Sequence, residues 1–120
     1  VQIIPIPGAS ALISALSVSG IPSSEFIFLG FLPHKKGRET LFKEMSESSR
    51  TIAFYESPHR IIKTLESLGK HVPERKIVIG RELTKVFEQI LAGTPEEIIK
   101  YFETNQDKMR GEFVVIISPK

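Results

Sequence analysis

The chain of 120 residues contains no cysteine. This absence excludes a disulfide framework, a thiolate zinc site and a cysteine nucleophile, and it is compatible with a reducing compartment. No apolar run is long enough to cross a bilayer, although hydrophobic residues make up 41% of the sequence. The composition therefore predicts a soluble, cytoplasmic domain that does not enter a membrane.

The chain also has little net charge. Its 16 Lys and Arg against 14 Asp and Glu leave only +2, so any contact with nucleic acid must depend on local clusters of cations. The length suffices for one domain with a core, residues 1–120, but not for two. Because the chain begins at Val1 without methionine or a basic leader, we expect one domain of a longer protein.

Alternating patterns predict an α/β fold. Strands are expected at about 25–31, 51–56, 76–81, 86–92 and 112–118, and 1–6 is expected to be a short strand or an entry segment. Helices are expected at about 9–19, 37–48, 58–68 and 94–103. The neighbouring segments 76–81 and 86–92 read as a hairpin, which makes the sheet mixed rather than parallel. We expect roughly five strands flanked by about four helices.

The tract 54–60 joins an apolar strand to a cluster of reactive side chains. Ser57 is expected to cap a helix whose first residue is Pro58, so Glu56, His59 and Arg60 would surround a crevice at the carboxyl end of the strand. That helix is expected to end at Gly69. The alternative is a surface ion pair between Glu56 and Arg60 beside a solvated His59.

A basic loop follows the strand at 25–31. Lys35, Lys36 and Arg38 lie close together there, beside a histidine, and could neutralise phosphates of RNA. The alternative is a solvated turn whose charges offset acidic residues of the next helix. Phe31, just before the loop, could stack on a base, although a core position is the preferred interpretation.

The sequence evidence for other functional sites is weaker. The small residues of the turn at 6–11 would let a ligand approach helix amides, or would simply allow tight packing. The segment 80–85 ends a strand with charges that could join the crevice or pair across a hairpin. His34, His59 and His71 show no ligand-like spacing, so no metal is expected, and no G-x-S-x-G elbow is present.

Five motifs follow one another along the chain. They are Pro5-Ile6-Pro7-Gly8-Ala9-Ser10-Ala11, Gly30-Phe31-Leu32-Pro33, Phe54-Tyr55-Glu56-Ser57-Pro58-His59-Arg60, Arg81-Glu82-Leu83-Thr84-Lys85 and Gly111-Glu112. In this order they resemble the bacterial small-subunit ribosomal RNA 2′-O-ribose methyltransferases, within the tetrapyrrole-methylase-like (class III) enzymes that use S-adenosylmethionine. The resemblance covers essentially the whole chain.

The resemblance implies a two-domain, homodimeric enzyme that binds S-adenosyl-L-methionine between its domains and methylates a cytidine ribose of small-subunit (16S) ribosomal RNA. This chain would be the carboxyl-terminal domain, with its amino-terminal partner domain absent. The resemblance assigns residues to three roles. The cofactor cleft would be lined by Pro7, Gly8, Ala9, Ser10, Ala11, Tyr55, Glu56, Glu82 and Leu83. RNA would contact Lys35, Lys36, Arg38, Arg60 and Lys85, and the general base would be Glu56, Glu82 or His59.

Two other functions stay open. One is a class III methyltransferase acting on a tetrapyrrole, against which the basic loop and the lack of an evident apolar macrocycle pocket speak. The other is a non-catalytic module for RNA binding or dimerisation, which would bind RNA without any affinity for the cofactor.

Overall fold

Five strands and three helices make up residues 20–21, 26–83, 86–105 and 111–120, the part of the chain that the computed structural model describes. The predicted strand at 1–6 and helix at 9–19 lie outside these residues. The elements are β1 (Phe26–Phe31), α1 (Arg38–Glu47), β2 (Thr51–Glu56), α2 (Ile61–His71), β3 (Ile77–Leu83), β4 (Val86–Gly93), α3 (Pro95–Thr104) and β5 (Glu112–Ile117). The predicted α/β class is confirmed.

The sheet is mixed, as predicted. Its strand order is β1-β2-β5-β3-β4, with β1 parallel to β2 and every other neighbouring pair antiparallel. The predicted hairpin is formed by β3 and β4, in which Leu83 pairs with Val86. Since β5 runs against both β2 and β3, the strands β1, β2 and β3 all point the same way.

Apolar side chains cover both faces of the sheet. On one face, the buried residues Phe42 of α1, Leu65 of α2 and Phe102 of α3 pack with Phe54 and Phe113 of the sheet in one core. On the other face, a smaller cluster contains Ile21, Ala53, Val78, Val114 and Ile116. A central strand buried on both sides explains why 51–56 reads as a nearly continuous apolar run.

The start of α3 follows its sequence signature closely. The Thr94 side chain accepts a hydrogen bond from the Glu97 amide, the Glu97 carboxylate accepts one from the Thr94 amide at 2.8 Å, and Pro95 occupies the first turn. These reciprocal bonds satisfy two of the amides that a helix start leaves open. They also hold the pKa of Glu97 below its ordinary value of 4.5.

The bounds of α2 differ from the prediction at both ends. The helix begins at Ile61, after an Arg60 cap position without a side-chain hydrogen bond, so the predicted Ser57 cap and Pro58 first turn are wrong. The backbone carbonyl of Ser57, not its hydroxyl, accepts from the amides of Arg60 and Ile61 at 3.1 Å each. Gly69 lies inside the helix rather than at its end. A methyl group there would be 3.7 Å from Cβ of Pro95, so Gly69 faces α3.

Candidate functional site at the converging strand ends

The strand directions bring the predicted motifs to one edge of the sheet. The carboxyl ends of β1, β2 and β3, at Phe31, Glu56 and Leu83, lie beside the amino ends of β5 and β4, at Glu112 and Val86. We call this edge the converging edge. Since one strand separates β2 from β3, their ends lie roughly 10 Å apart. Polar groups far apart in sequence therefore face one region.

Glu56 is buried at this edge, with only 3% of its surface exposed. Its Oε1 accepts a hydrogen bond from the Ser57 amide at 3.0 Å, and its Oε2 accepts one from the Thr64 hydroxyl at 2.5 Å. A buried carboxylate needs such donors, since losing its hydration would otherwise be costly. Glu56 therefore fastens the end of β2 to the first turn of α2, and no described ion pair joins it to Arg60.

Arg38 completes a buried chain of hydrogen bonds. Its Nη2 donates to the Thr64 hydroxyl at 2.8 Å and its Nη1 donates to the Pro33 carbonyl at 3.2 Å, while the guanidinium carbon lies 5.0 Å from the centre of the Phe42 ring. The sequence reasoning expected Arg38 to face RNA, whereas this guanidinium is turned into the protein. Its contacts instead fix the start of the basic loop against α2.

Thr64 is the residue that sequence reasoning missed. Its hydroxyl accepts a hydrogen bond from Arg38 and donates one to Glu56, so one buried oxygen links two ionisable groups. The available signal was a polar residue on an otherwise apolar helix face with Ile61 and Leu65, where a hydroxyl requires a partner.

The basic loop between β1 and α1 presents its remaining cations to solvent. Lys35 and Lys36 are exposed, as is His34. The Lys35 carbonyl accepts from the Arg38 amide at 3.2 Å, and Gly37 adopts a left-handed φ of 83°, which favours glycine. Backbone contacts thus hold the loop near α1, while the side chains of Lys35 and Lys36 are exposed to solvent beside the converging edge.

The turn after β2 places two further predicted residues near that edge. His59 is exposed and Arg60 is half-buried. Hydrogen bonds of the Glu56 carboxylate and of the Ser57 carbonyl fix the backbone of this turn, and this backbone carries both side chains. His59 and Arg60 thus follow Glu56 on one turn at the converging edge, and a shared crevice for the three side chains stays a prediction.

An aromatic group borders the same edge. Tyr55 lies half-buried between Phe28 and Phe31, with ring centres 5.1 Å and 5.5 Å away. The interplanar angles of 75° and 52° are in the range that aromatic pairs prefer over a flat sandwich. This arrangement forms an apolar wall next to the basic loop.

The end of β3 contributes a buried cation. Arg81 shares a row across the sheet with Phe113 and Glu56, and its Nε has no hydrogen-bond partner among the residues that the structure describes. The backbones of Glu82 and Leu83 continue β3 beside Glu112, but their side chains lie outside the described part, as do Lys85 and the segment 7–11.

The opposite edge differs in character. A cleft of about 400 Å³ there is lined by residues 71–76 and 118–120, which precede β3 and follow β5. It is remote from all the predicted motifs, so we do not assign it to the site. Among the described residues, no three histidine, aspartate or glutamate side chains come together as a metal site, and no helix is long and apolar enough to span a bilayer.

Comparison with known proteins places these features in context. Residues 1–99 match the family model described as Tetrapyrrole (Corrin/Porphyrin) Methylases. Proteins named "Ribosomal RNA small subunit methyltransferase I" are 43% identical to this chain in Thermotoga maritima over 115 residues and in Vibrio cholerae over 119 residues. These alignments cover 96% and 98% of the chain but only 51% and 41% of the relatives. The chain thus spans about half the length of the relatives, or less.

Two solved structures share the fold. The cobalt precorrin-4 methyltransferase CbiF gives a TM-score of 0.60 at 18% identity and covers 92% of this chain and 47% of its own. The methyltransferase CobJ gives 0.62 at 19% identity, over 90% of this chain and 47% of its own. At such identities the likeness establishes the fold alone.

Proposed function

The chain belongs to the tetrapyrrole (corrin/porphyrin) methylase family, and we propose that it is the carboxyl-terminal domain of an S-adenosylmethionine-dependent enzyme that methylates a cytidine 2′-hydroxyl of small-subunit ribosomal RNA. The relatives named for ribosomal RNA are 40–43% identical over nearly the entire chain, whereas CbiF and CobJ are 18–19% identical to it. A homodimer in the cytoplasm belongs to the same proposal.

One observation carries the proposal: the strand ends that bear the motifs meet at the converging edge. An aromatic wall, a basic loop and a turn with an imidazole lie next to one another there. An edge of this kind is where open α/β sheets place their ligands. The chain would form one wall of a cleft, and an amino-terminal domain would supply the other.

The aromatic wall at this edge suits the apolar parts of S-adenosylmethionine. The half-buried Tyr55 ring, which packs against Phe28 and Phe31, offers an apolar surface to the cofactor. When bound, the cofactor would supply a methyl group on a positively charged sulfur. In this proposal the segments 7–11 and 82–83 would also line the cofactor cleft.

The protein's task would be mainly to position the ribose. A methyl transfer of this type requires the 2′-oxygen in line behind the methyl carbon, so fixing the nucleotide supplies most of the gain. Lys35 and Lys36 would hold phosphates, and Arg60 or Lys85 would anchor the phosphate next to the methylated ribose. The buried Arg38 would support this surface by holding the loop to α2 rather than by touching RNA.

The hydrogen bonds of Glu56 reduce the number of candidates for the general base. Both oxygens of Glu56 already accept hydrogen bonds, so we assign it to anchoring the turn rather than to proton transfer. His59, exposed on that turn, and Glu82 remain to accept the 2′-hydroxyl proton. Loss of the true base should slow single-turnover methylation about 100-fold or more. Unchanged rates in both His59→Gln and Glu82→Gln would exclude a side-chain base at these positions.

The decisive experiment uses the full-length protein with S-adenosylmethionine labelled in its methyl group. Unmodified small-subunit RNA, assembled small subunits and a corrin or porphyrin are offered separately. We expect label in RNA, resistant to alkaline cleavage at the methylated ribose. Label in the tetrapyrrole alone would favour the function that the fold of CbiF and CobJ leaves open, whereas RNA binding without cofactor affinity would indicate a non-catalytic module.

A further inference from the structure

Three phenylalanines of the edge strand β1 are exposed to solvent. Phe26 is 39%, Phe28 42% and Phe31 59% exposed. Large apolar side chains that group together on a surface often mark an interaction site, whereas single exposed ones do not. Phe31 is the most exposed of the three and lies at the converging edge, whereas Phe26 begins the strand at the opposite edge.

A register shift explains why Phe31 is exposed. Phe28 pairs with Ala53 and Phe31 with Tyr55, so three steps along β1 match two steps along β2. Strict alternation would place Phe31 on the face opposite Phe28, with the core residues Ile27 and Leu29. The additional residue turns Phe31 to the face of Phe28 and Tyr55. The core position preferred from the sequence is therefore wrong.

Gly30 makes this shift possible. Its φ of 68° lies in the left-handed region that other residues avoid. A methyl group at Gly30 would meet no atom within 4 Å, so the glycine is required by backbone conformation and not by lack of space. The strand thus contains a specific device that presents an aromatic ring to solvent.

The surroundings of Phe31 indicate what binds there. Tyr55 supports the ring on one side at 5.5 Å, and Phe28 braces Tyr55 in turn. Lys35 and Lys36, both exposed, follow within five residues along the chain. An apolar protein partner would match the rings but not the neighbouring cations, whereas a polyanion that contains aromatic bases matches both.

We propose that Phe31, supported by Tyr55, is a stacking platform for an unpaired base of RNA, whose neighbouring phosphates meet Lys35 and Lys36. This inference rests on the proposed function, because it identifies how the substrate would approach the cofactor wall at Tyr55. Unpaired RNA fits better than a duplex, since only an unstacked base exposes its face to a side chain.

The test measures RNA binding by the full-length protein at one fixed salt concentration. The probe is unmodified small-subunit ribosomal RNA transcribed in vitro, with a fully paired RNA duplex as competitor. Base stacking of about 1–3 kcal/mol corresponds to roughly 5- to 150-fold in affinity, so Phe31→Ala should weaken binding within that range. The duplex should compete poorly.

Matched variants separate stacking from general apolar contact. Phe31→Trp keeps an aromatic face and should preserve affinity, while Phe31→Leu keeps apolar surface and should lose it. Phe26→Ala removes an exposed phenylalanine from the same strand away from the basic loop and should change affinity by less than about twofold. Light scattering of each variant reports whether the oligomeric state changes.

Three outcomes separate the fate of the platform from that of the proposed function. Equal affinity of Phe31→Ala and the wild type, in a protein that methylates RNA, would remove the platform and leave the proposed function intact. Full affinity of Phe31→Leu, with dissociation of an oligomer in Phe31→Ala, would assign the surface to a second copy of the chain. Conversely, RNA binding that depends on Phe31 without methyl transfer would support the platform and refute the proposed function.

Discussion

Replacing Thr64 with valine tests the buried network most sharply. Valine has nearly the same shape, so the change removes one hydroxyl and leaves the packing of α2 almost intact. That hydroxyl donates to Glu56 at 2.5 Å and accepts from Arg38 at 2.8 Å. Both hydrogen bonds involve an ionisable side chain, and each partner would stay buried without its bond.

The expected cost follows from these contacts. A hydrogen bond to a charged group contributes about 1.5–3 kcal/mol, and two are lost. Glu56 retains the Ser57 amide and Arg38 retains the Pro33 carbonyl, which offsets part of the loss. We therefore expect Thr64→Val to lower the free energy of unfolding by about 3 kcal/mol, a large share of the ~5–15 kcal/mol typical of a domain.

Urea unfolding followed by circular dichroism measures this effect, since the chain has no tryptophan to report by fluorescence. Thr64→Ser is the matched control, because it keeps the hydroxyl and loses only a methyl group worth about 1 kcal/mol. A double-mutant cycle with Glu56→Gln should show coupling above about 0.5 kcal/mol. If valine proves no worse than serine at this position, the network does not stabilise the fold as argued.

Three further predictions concern the strand shift, the helix cap and the basic loop. Gly30→Ala should cost about 1–2 kcal/mol by thermal unfolding, through its left-handed φ alone; no loss would mean that the shift does not need glycine. The lowered pKa of Glu97 implies stability that is present above pH 4.5 and lost as pH falls through the folded-state pKa. Glu97→Gln should therefore flatten the acid side of the stability curve, and an unchanged curve would contradict this reasoning. Substituting both Lys35 and Lys36 by alanine should reduce the slope of log affinity for RNA against log salt by roughly two, whereas an unchanged slope would show that they do not meet phosphates.

Local patterns sufficed to predict the sheet and one helix start. The hairpin of β3 and β4 and the capping box at Thr94 depend on residues close in sequence, so their chemistry can be read directly. The convergence of β1, β2 and β3 followed from treating the fold as an α/β layer. The turn at Ser57 was misread because its carbonyl, and not its hydroxyl, accepts from the amides of Arg60 and Ile61, and the helix begins only at Ile61.

Features that depend on tertiary contacts were not predictable in the same way. Arg38 reads as one more cation of a basic loop, and only its distance to Thr64, 26 residues away, shows that it is buried. Phe31 reads as core because alternation assumes an unbroken register, which the shift at Gly30 interrupts. At both positions the sequence shows the residue type, but contacts with residues distant in sequence set the direction of the side chain.

Hydrogen exchange of the full-length protein with and without S-adenosylmethionine tests the central claim most directly. A ligand slows exchange where it contacts or orders the backbone. If the converging edge is one wall of the cofactor cleft, protection should appear at 55–60 and 82–83, with little change at 71–76 and 118–120. Protection confined to the latter segments, around the cleft at the opposite edge, would contradict the account.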